Sequence, residues 1–231
     1  MKKLVIYLTF MYPNEKEFYA TLDMLEEQSV DIVEFGVPVV NPHLDGEAIQ
    51  KSHQQVLTNG LTATEFKKHL ENIRAKYDFE ITLMTYETGV KMFNLLNLSE
   101  NLYDGILCVD AMLEKNSSSK LVQLFNEEMS LKECRHKLAN STQFNYVMSG
   151  VGKTGSFTSV PEGYLDVIPI LKSFSKIENY VGFGIKTPED VATVIRQGAD
   201  GVIIGSHFMT LMETKGLAVT KDYITSLQAV L

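Results

Sequence analysis

Cysteine, histidine clusters, long apolar runs and basic charge are all scarce in this chain, and each shortage excludes something. There are two cysteines, Cys108 and Cys134, and neither stands at a metal-ligand spacing from a second ligand. Cys108 sits inside an apolar run and reads as a buried free thiol; both cysteines fit a reducing cytosol, so a cytoplasmic protein is expected. The five histidines, His43, His53, His69, His136 and His207, are scattered, so neither a metal nor another cofactor is expected. No apolar run is long enough to span a bilayer. The N-terminus imitates a signal peptide for a few residues, but Asn14 and Glu15 follow at once, and the segment reads as a first strand. Lys and Arg number 21 against 29 Asp and Glu, a net charge of −8, which argues against a general nucleic-acid or membrane-surface binder. An acidic chain with an anionic substrate must attract it locally, through loop amides.

What is present is alternation. Short apolar runs alternate with amphipathic stretches, the pattern of parallel βα units. Strands are expected at 4–9, 31–35, 79–84, 104–109, 144–148, 179–182 and 201–204. Helices are expected at 14–28, 46–57, 62–76, 89–96, 161–174 and 188–197, with a tail from Thr220. The expected architecture is one (β/α)8 TIM barrel spanning residues 1–231 as a single domain. That list is one strand short of the eight a closed barrel needs. The region between Val109 and Phe144 must supply it, and Leu121–Phe125 is its only apolar candidate, leaving little room for the helix before it. The only linker-like patch is 115–119.

Chemistry concentrates at two places. The run ending at Glu34 delivers a carboxylate to a strand end just before the breakers Gly36 and Pro38. A second carboxylate, Asp45, follows in a turn-rich loop closed by Gly46. Strand ends and their loops are where such barrels hold catalytic groups, and one carboxylate can move protons while the other holds a substrate donor. Asp45 is also well placed merely to cap the helix that starts at Gly46. Further on, Gly182-Phe183-Gly184 and Gly205-Ser206 each empty an apolar run into glycine ahead of a helix start, a usual barrel phosphate site. Such a site is built from backbone amides, with no lysine or arginine expected to be essential. The stretch 149–155 resembles the end of a P-loop, but the required earlier glycine is missing, since position 147 is Val.

Glu34-Phe-Gly-Val-Pro38, the Asn-Pro-x-x-Asp45-Gly46 loop, Leu83-Met-Thr-Tyr86, Tyr146-Val-Met-Ser149, Gly152-Lys-Thr-Gly155, Gly182-Phe-Gly-Ile185 and Gly205-Ser206 follow one another as in the tryptophan synthase α-subunit family, which this chain resembles along nearly its whole length. The resemblance implies a (β/α)8 lyase that cleaves indole-3-glycerol phosphate to indole and glyceraldehyde 3-phosphate, the α reaction of the last step of tryptophan biosynthesis. It implies a pyridoxal-phosphate β subunit as partner in an αββα heterotetramer. Glu34 takes the family's acid/base position and Asp45 that of the carboxylate binding the indole N–H. Thr154 matches a mobile-loop threonine that closes onto that aspartate. Tyr7, Tyr86, Tyr146 and Phe183 are implied as substrate-pocket residues, and Gly155, Gly184, Gly205 and Ser206 as the phosphate site.

The chain also departs from that pattern. Val39-Val40-Asn41-Pro42, Glu47 and Val109-Asp110-Ala111-Met112 replace the family's usual residues in loops that meet the β subunit. Two other readings stand beside the lyase: a barrel isomerase or epimerase of sugar phosphates, which needs no apolar pocket walls, and a weakly active barrel serving mainly as a β-subunit partner.

Overall fold

The computed structural model describes residues 2–114, 120–152 and 157–231. Eight parallel strands close a barrel in sequence order: β1 Lys3–Thr9, β2 Ile32–Gly36, β3 Glu80–Thr85, β4 Gly105–Cys108, β5 Leu121–Phe125, β6 Asn145–Met148, β7 Asn179–Gly182 and β8 Gly201–Ile204. The helices are α1 Glu15–Glu27, α2 Glu47–Thr58, α3 Ala63–Lys76, α4 Glu87–Met92, α5 Leu131–Asn140, α6 Tyr164–Phe174, α7 Pro188–Arg196 and α8 Ser206–Gln228. The strands read as nearly unbroken apolar runs because side chains on both sheet faces are covered; β2, β4, β6, β7 and β8 are buried at every position.

The eighth strand is Leu121–Phe125, paired in parallel with β4 and β6. Among the described residues no helix stands between β4 and β5. The helix α5, by contrast, is not among the expected elements. It does carry a start signal: Ser130 accepts from the Glu133 amide, and the Glu133 carboxylate accepts from the Ser130 amide. The same reciprocal cap opens α3 at Thr62 and Glu65, and α7 at Thr187 and Asp190. The tail helix starts earlier than Thr220, at Ser206, and breaks at Gly216, whose φ of 75° is one that L side chains rarely adopt.

Outside the barrel, Phe10, Phe18, Phe35 and Phe66 pack ring against ring, with centroid separations from 4.5 to 5.7 Å. Each is fully buried and contributes roughly 1.5–3 kcal/mol. This cluster fixes α1 and α3 against β1 and β2, and so fixes the strand that carries Glu34. Register then sets the site: Tyr7 of β1 lies beside Glu34 of β2, which lies beside Thr82 of β3. Among the described residues, no helix is long and apolar enough to cross a membrane.

Candidate active site

Glu34 is 1% exposed, and among the described residues its Oε1 has no hydrogen-bond partner. Burial, reinforced by the nearby Asp45 carboxylate, pushes its carboxyl up to about 8, so it is mainly protonated at neutral pH. A buried carboxyl left unsatisfied is costly to the fold, and it lines a cleft together with Tyr7, Asp45, Tyr146, Phe183, Gly184, Gly205 and Ser206.

Asp45 does not cap a helix. The N-cap of α2 is Gly46, which makes no side-chain cap, while the Asp45 carboxylate is buried and accepts the Tyr86 hydroxyl at 2.8 Å. The Tyr86 oxygen in turn accepts the Leu44 amide at 3.1 Å. Tyr86, at the end of β3, therefore ties the aspartate and its loop to the barrel rim.

Tyr7 cannot donate to Glu34, because its one proton is already committed. Ser52 Oγ donates to the Ile49 carbonyl at 2.8 Å, so in its 2.6 Å contact with Thr9 the threonine must donate. Thr9 then accepts from Tyr7 at 3.3 Å, and Tyr7 accepts from His53 Nε2 at 3.1 Å. The Val39 amide closes the chain by donating to His53 Nδ1 at 3.3 Å. His53 is thus the neutral Nε2–H tautomer, in keeping with burial holding its imidazole down at about 4. No signal in the sequence points to this role; there His53 is one more histidine on a helix. The Tyr7 ring lies against Gly36, where a Cβ would come within 2.0 Å of the phenol oxygen, and Tyr146 lies against Gly182 in the same way, at 2.3 Å. Each inward tyrosine crosses a neighbouring strand that carries no side chain at that point.

We expect His53→Ala to lower stability by about 2–4 kcal/mol, through a cavity and an undonated phenol oxygen, and Tyr7→Phe by about 1 kcal/mol. Because the folded imidazole titrates below its ordinary 6.5, the parent should lose stability as pH falls from 6.5 towards about 4. His53→Ala should lack that component. Urea unfolding across this range checks both; an alanine variant with the parent's midpoint and pH slope would rule out the chain of donors.

Phe183 has a φ of 78°, a conformation costing an ordinary residue about 1–3 kcal/mol. Ser149 holds it there: its amide donates to the Gly182 carbonyl at 2.9 Å and its hydroxyl to the Phe183 carbonyl at 2.7 Å. The strained turn swings the Phe183 ring into the cleft, 6.1 Å from Tyr146 and nearly perpendicular to it. Next to it Gly184, also at positive φ, lines the cleft together with Gly205 and Ser206 at the start of α8. The lining also includes Lys186 and His207, neither anticipated. The Lys186 ammonium donates to the Phe157 carbonyl at 2.6 Å, so a cation stands at the rim of a site expected to rely on amides alone. Thr154 and Gly155 lie outside the described residues.

Beyond Asp45 the cleft opens into a cavity of about 250 Å³ walled by Leu107, Val109, Leu124, Met129 and Met148, with Met84, Tyr146 and Phe183 common to both spaces. Two buried carboxylates thus stand between glycine-rich loops at one end and an apolar chamber at the other. Fold and cleft define a (β/α)8-barrel enzyme.

A family model described as tryptophan synthase alpha chain matches residues 1–229. The tryptophan synthase alpha chain of Prochlorococcus marinus is 32% identical over 210 residues, covering 85% of this chain and 75% of that one. That of Thermococcus kodakarensis is 31% identical over 225 residues, covering 90% and 88%. A solved structure of the tryptophan synthase a2b2 complex from Pyrococcus furiosus superposes with a TM-score of 0.85 at 27% identity, covering 100% of both chains. The chain belongs to the tryptophan synthase alpha chain family.

Proposed function

We propose that this chain cleaves indole-3-glycerol phosphate to indole and glyceraldehyde 3-phosphate, and that Glu34 shuttles the proton. The observation that carries the reading is the buried, unpartnered Glu34 carboxyl between the glycine loops and the apolar chamber. The phosphate sits against Gly184, Gly205 and Ser206, where free amides at the start of α8 attract an anion. The indole ring lies in the apolar chamber, with its N–H on Asp45.

Protonated Glu34 gives its proton to the ring carbon that bears the glycerol chain, and Asp45 stabilises the positive charge that develops on the ring. The Glu34 carboxylate then takes the proton of the adjacent hydroxyl as the carbon–carbon bond breaks. Its electron pair returns to the ring, indole and the aldehyde leave, and Glu34 is protonated again. Nothing is consumed besides the substrate. A carboxyl near 8 suits both halves, being an acid at rest and a competent base once ionised.

We further infer that the chain acts in the cytoplasm and hands its indole to a β subunit, docking through the loops at 39–44 and 109–112. Val40, 80% exposed, is an apolar group suited to such burial. The sugar-phosphate isomerase reading leaves the apolar chamber without a use.

The test is to incubate the purified chain with indole-3-glycerol phosphate and follow indole and glyceraldehyde 3-phosphate. Both should appear in equal amounts, with glycerol 3-phosphate competing. No release of indole at any substrate concentration, with or without an added β subunit, would sink the reading.

A further inference from the structure

The chamber is not apolar throughout: Lys137, on α5, lines it together with Asn126. The lysine is half-buried, and its one polar partner among the described residues is the Leu124 carbonyl at 3.0 Å. An ammonium carries three donors, and a single carbonyl uses one. Glu133, one turn earlier on the same helix, makes no ion pair with it among the described residues: that carboxylate accepts the Ser130 amide at 2.8 Å and the Ser130 hydroxyl at 2.6 Å. Burial pulls the Lys137 ammonium below its ordinary range, outweighing the opposing influence of Cys134, Cys108 and Glu133. A cation kept in such a place gains most from an acceptor that enters the chamber.

Two adjoining spaces share Asp45: Glu34, Gly184, Gly205 and Ser206 line the first, and Lys137 lines the second. On the proposed function, a substrate with its phosphate in the first space and its ring N–H on Asp45 turns the benzenoid edge of its indole towards Lys137. We propose that Lys137 is a specificity-determining residue, and that this site takes indoles whose benzenoid ring carries a hydrogen-bond acceptor, such as a hydroxyl or carboxylate group. For an unsubstituted ring the lysine offers only desolvation cost, because no ring atom there can accept its protons. An acceptor at that edge would form a charge-assisted hydrogen bond in a sheltered chamber, where such bonds are strongest.

Titration calorimetry on the full chain, with indole and with ring-hydroxylated and ring-carboxylated indoles taken one isomer at a time, tests this without any turnover. At least one substituted isomer should bind about tenfold or more tighter than indole, the scale of one such bond. Lys137→Met should abolish that preference, with Lys137→Leu as a second variant should the methionine not be tolerated, and Lys137→Arg should restore it. The quantity read is a ratio of two ligands on one preparation, so a reduced folded fraction cancels. If every isomer binds no tighter than indole, or the preference survives in Lys137→Met or Lys137→Leu, the proposal is overturned. The reaction itself is scored separately: cleavage of indole-3-glycerol phosphate without a substituent preference refutes the lysine's role alone. Lysine-dependent binding of substituted rings by a chain that cannot cleave refutes the reaction alone.

Discussion

Replacing Glu34 by Gln should cut indole release from indole-3-glycerol phosphate by about 10²–10⁴-fold while leaving substrate affinity nearly unchanged, because the group lost moves protons and is not needed for binding. The pH profile gives an independent reading. Cleavage starts from the protonated carboxyl, so kcat/KM should fall as pH rises through about 8, the range to which burial raises Glu34. Stability should follow the same titration. A carboxyl raised from its ordinary 4.5 binds more protons folded than unfolded, so its contribution is full below 4.5 and is lost as pH rises to about 8. Glu34→Gln should lack that loss and unfold at higher urea than the parent at alkaline pH. Parental indole release by the glutamine variant would remove Glu34 from the mechanism.

The second large effect belongs to Asp45. An asparagine side chain would keep the shape and could still accept the Tyr86 hydroxyl, so the loop should stay in place when Asp45→Asn is made. What disappears is the negative charge facing the ring nitrogen as positive charge develops there. Removing one such preorganised group costs about 10²–10³-fold in kcat in comparable sites. A substrate methylated on the ring nitrogen supplies the control. Without an N–H to hold, the parent should fall to nearly the level of Asp45→Asn, and the variant should lose little more. Equal penalties from methylation in parent and variant would show that Asp45 acts elsewhere.

The parts of this molecule that are legible in the sequence are those with local signatures. Strand ends can be read to within a residue or two because burial on both faces leaves short apolar runs, and Thr187-Pro188 announces α7. Even β5, squeezed between β4 and α5, can be found as the one apolar run available. The helix α5 escapes notice although Ser130 and Glu133 signal it, because its face is mostly polar and its buried residues are only Cys134 and Leu138. Glu34 and Asp45 are legible as residues, but their states are not. That Glu34 is protonated follows from what fails to reach it, and that in turn depends on Tyr7 being claimed by Thr9 and His53, the latter far away in sequence. Lys137 is illegible for a related reason. Nothing in its neighbours along the chain says that α5 turns it towards the cavity instead of the solvent.

The backbone at Phe183 has a consequence for which side chain this position can hold. Its left-handed conformation is one that glycine adopts at no steric cost. Glycine there would relieve the backbone but give up the ring's packing against the core and against Tyr146. On the proposed function the ring is held at this position twice over, by its packing and by its place in the cleft.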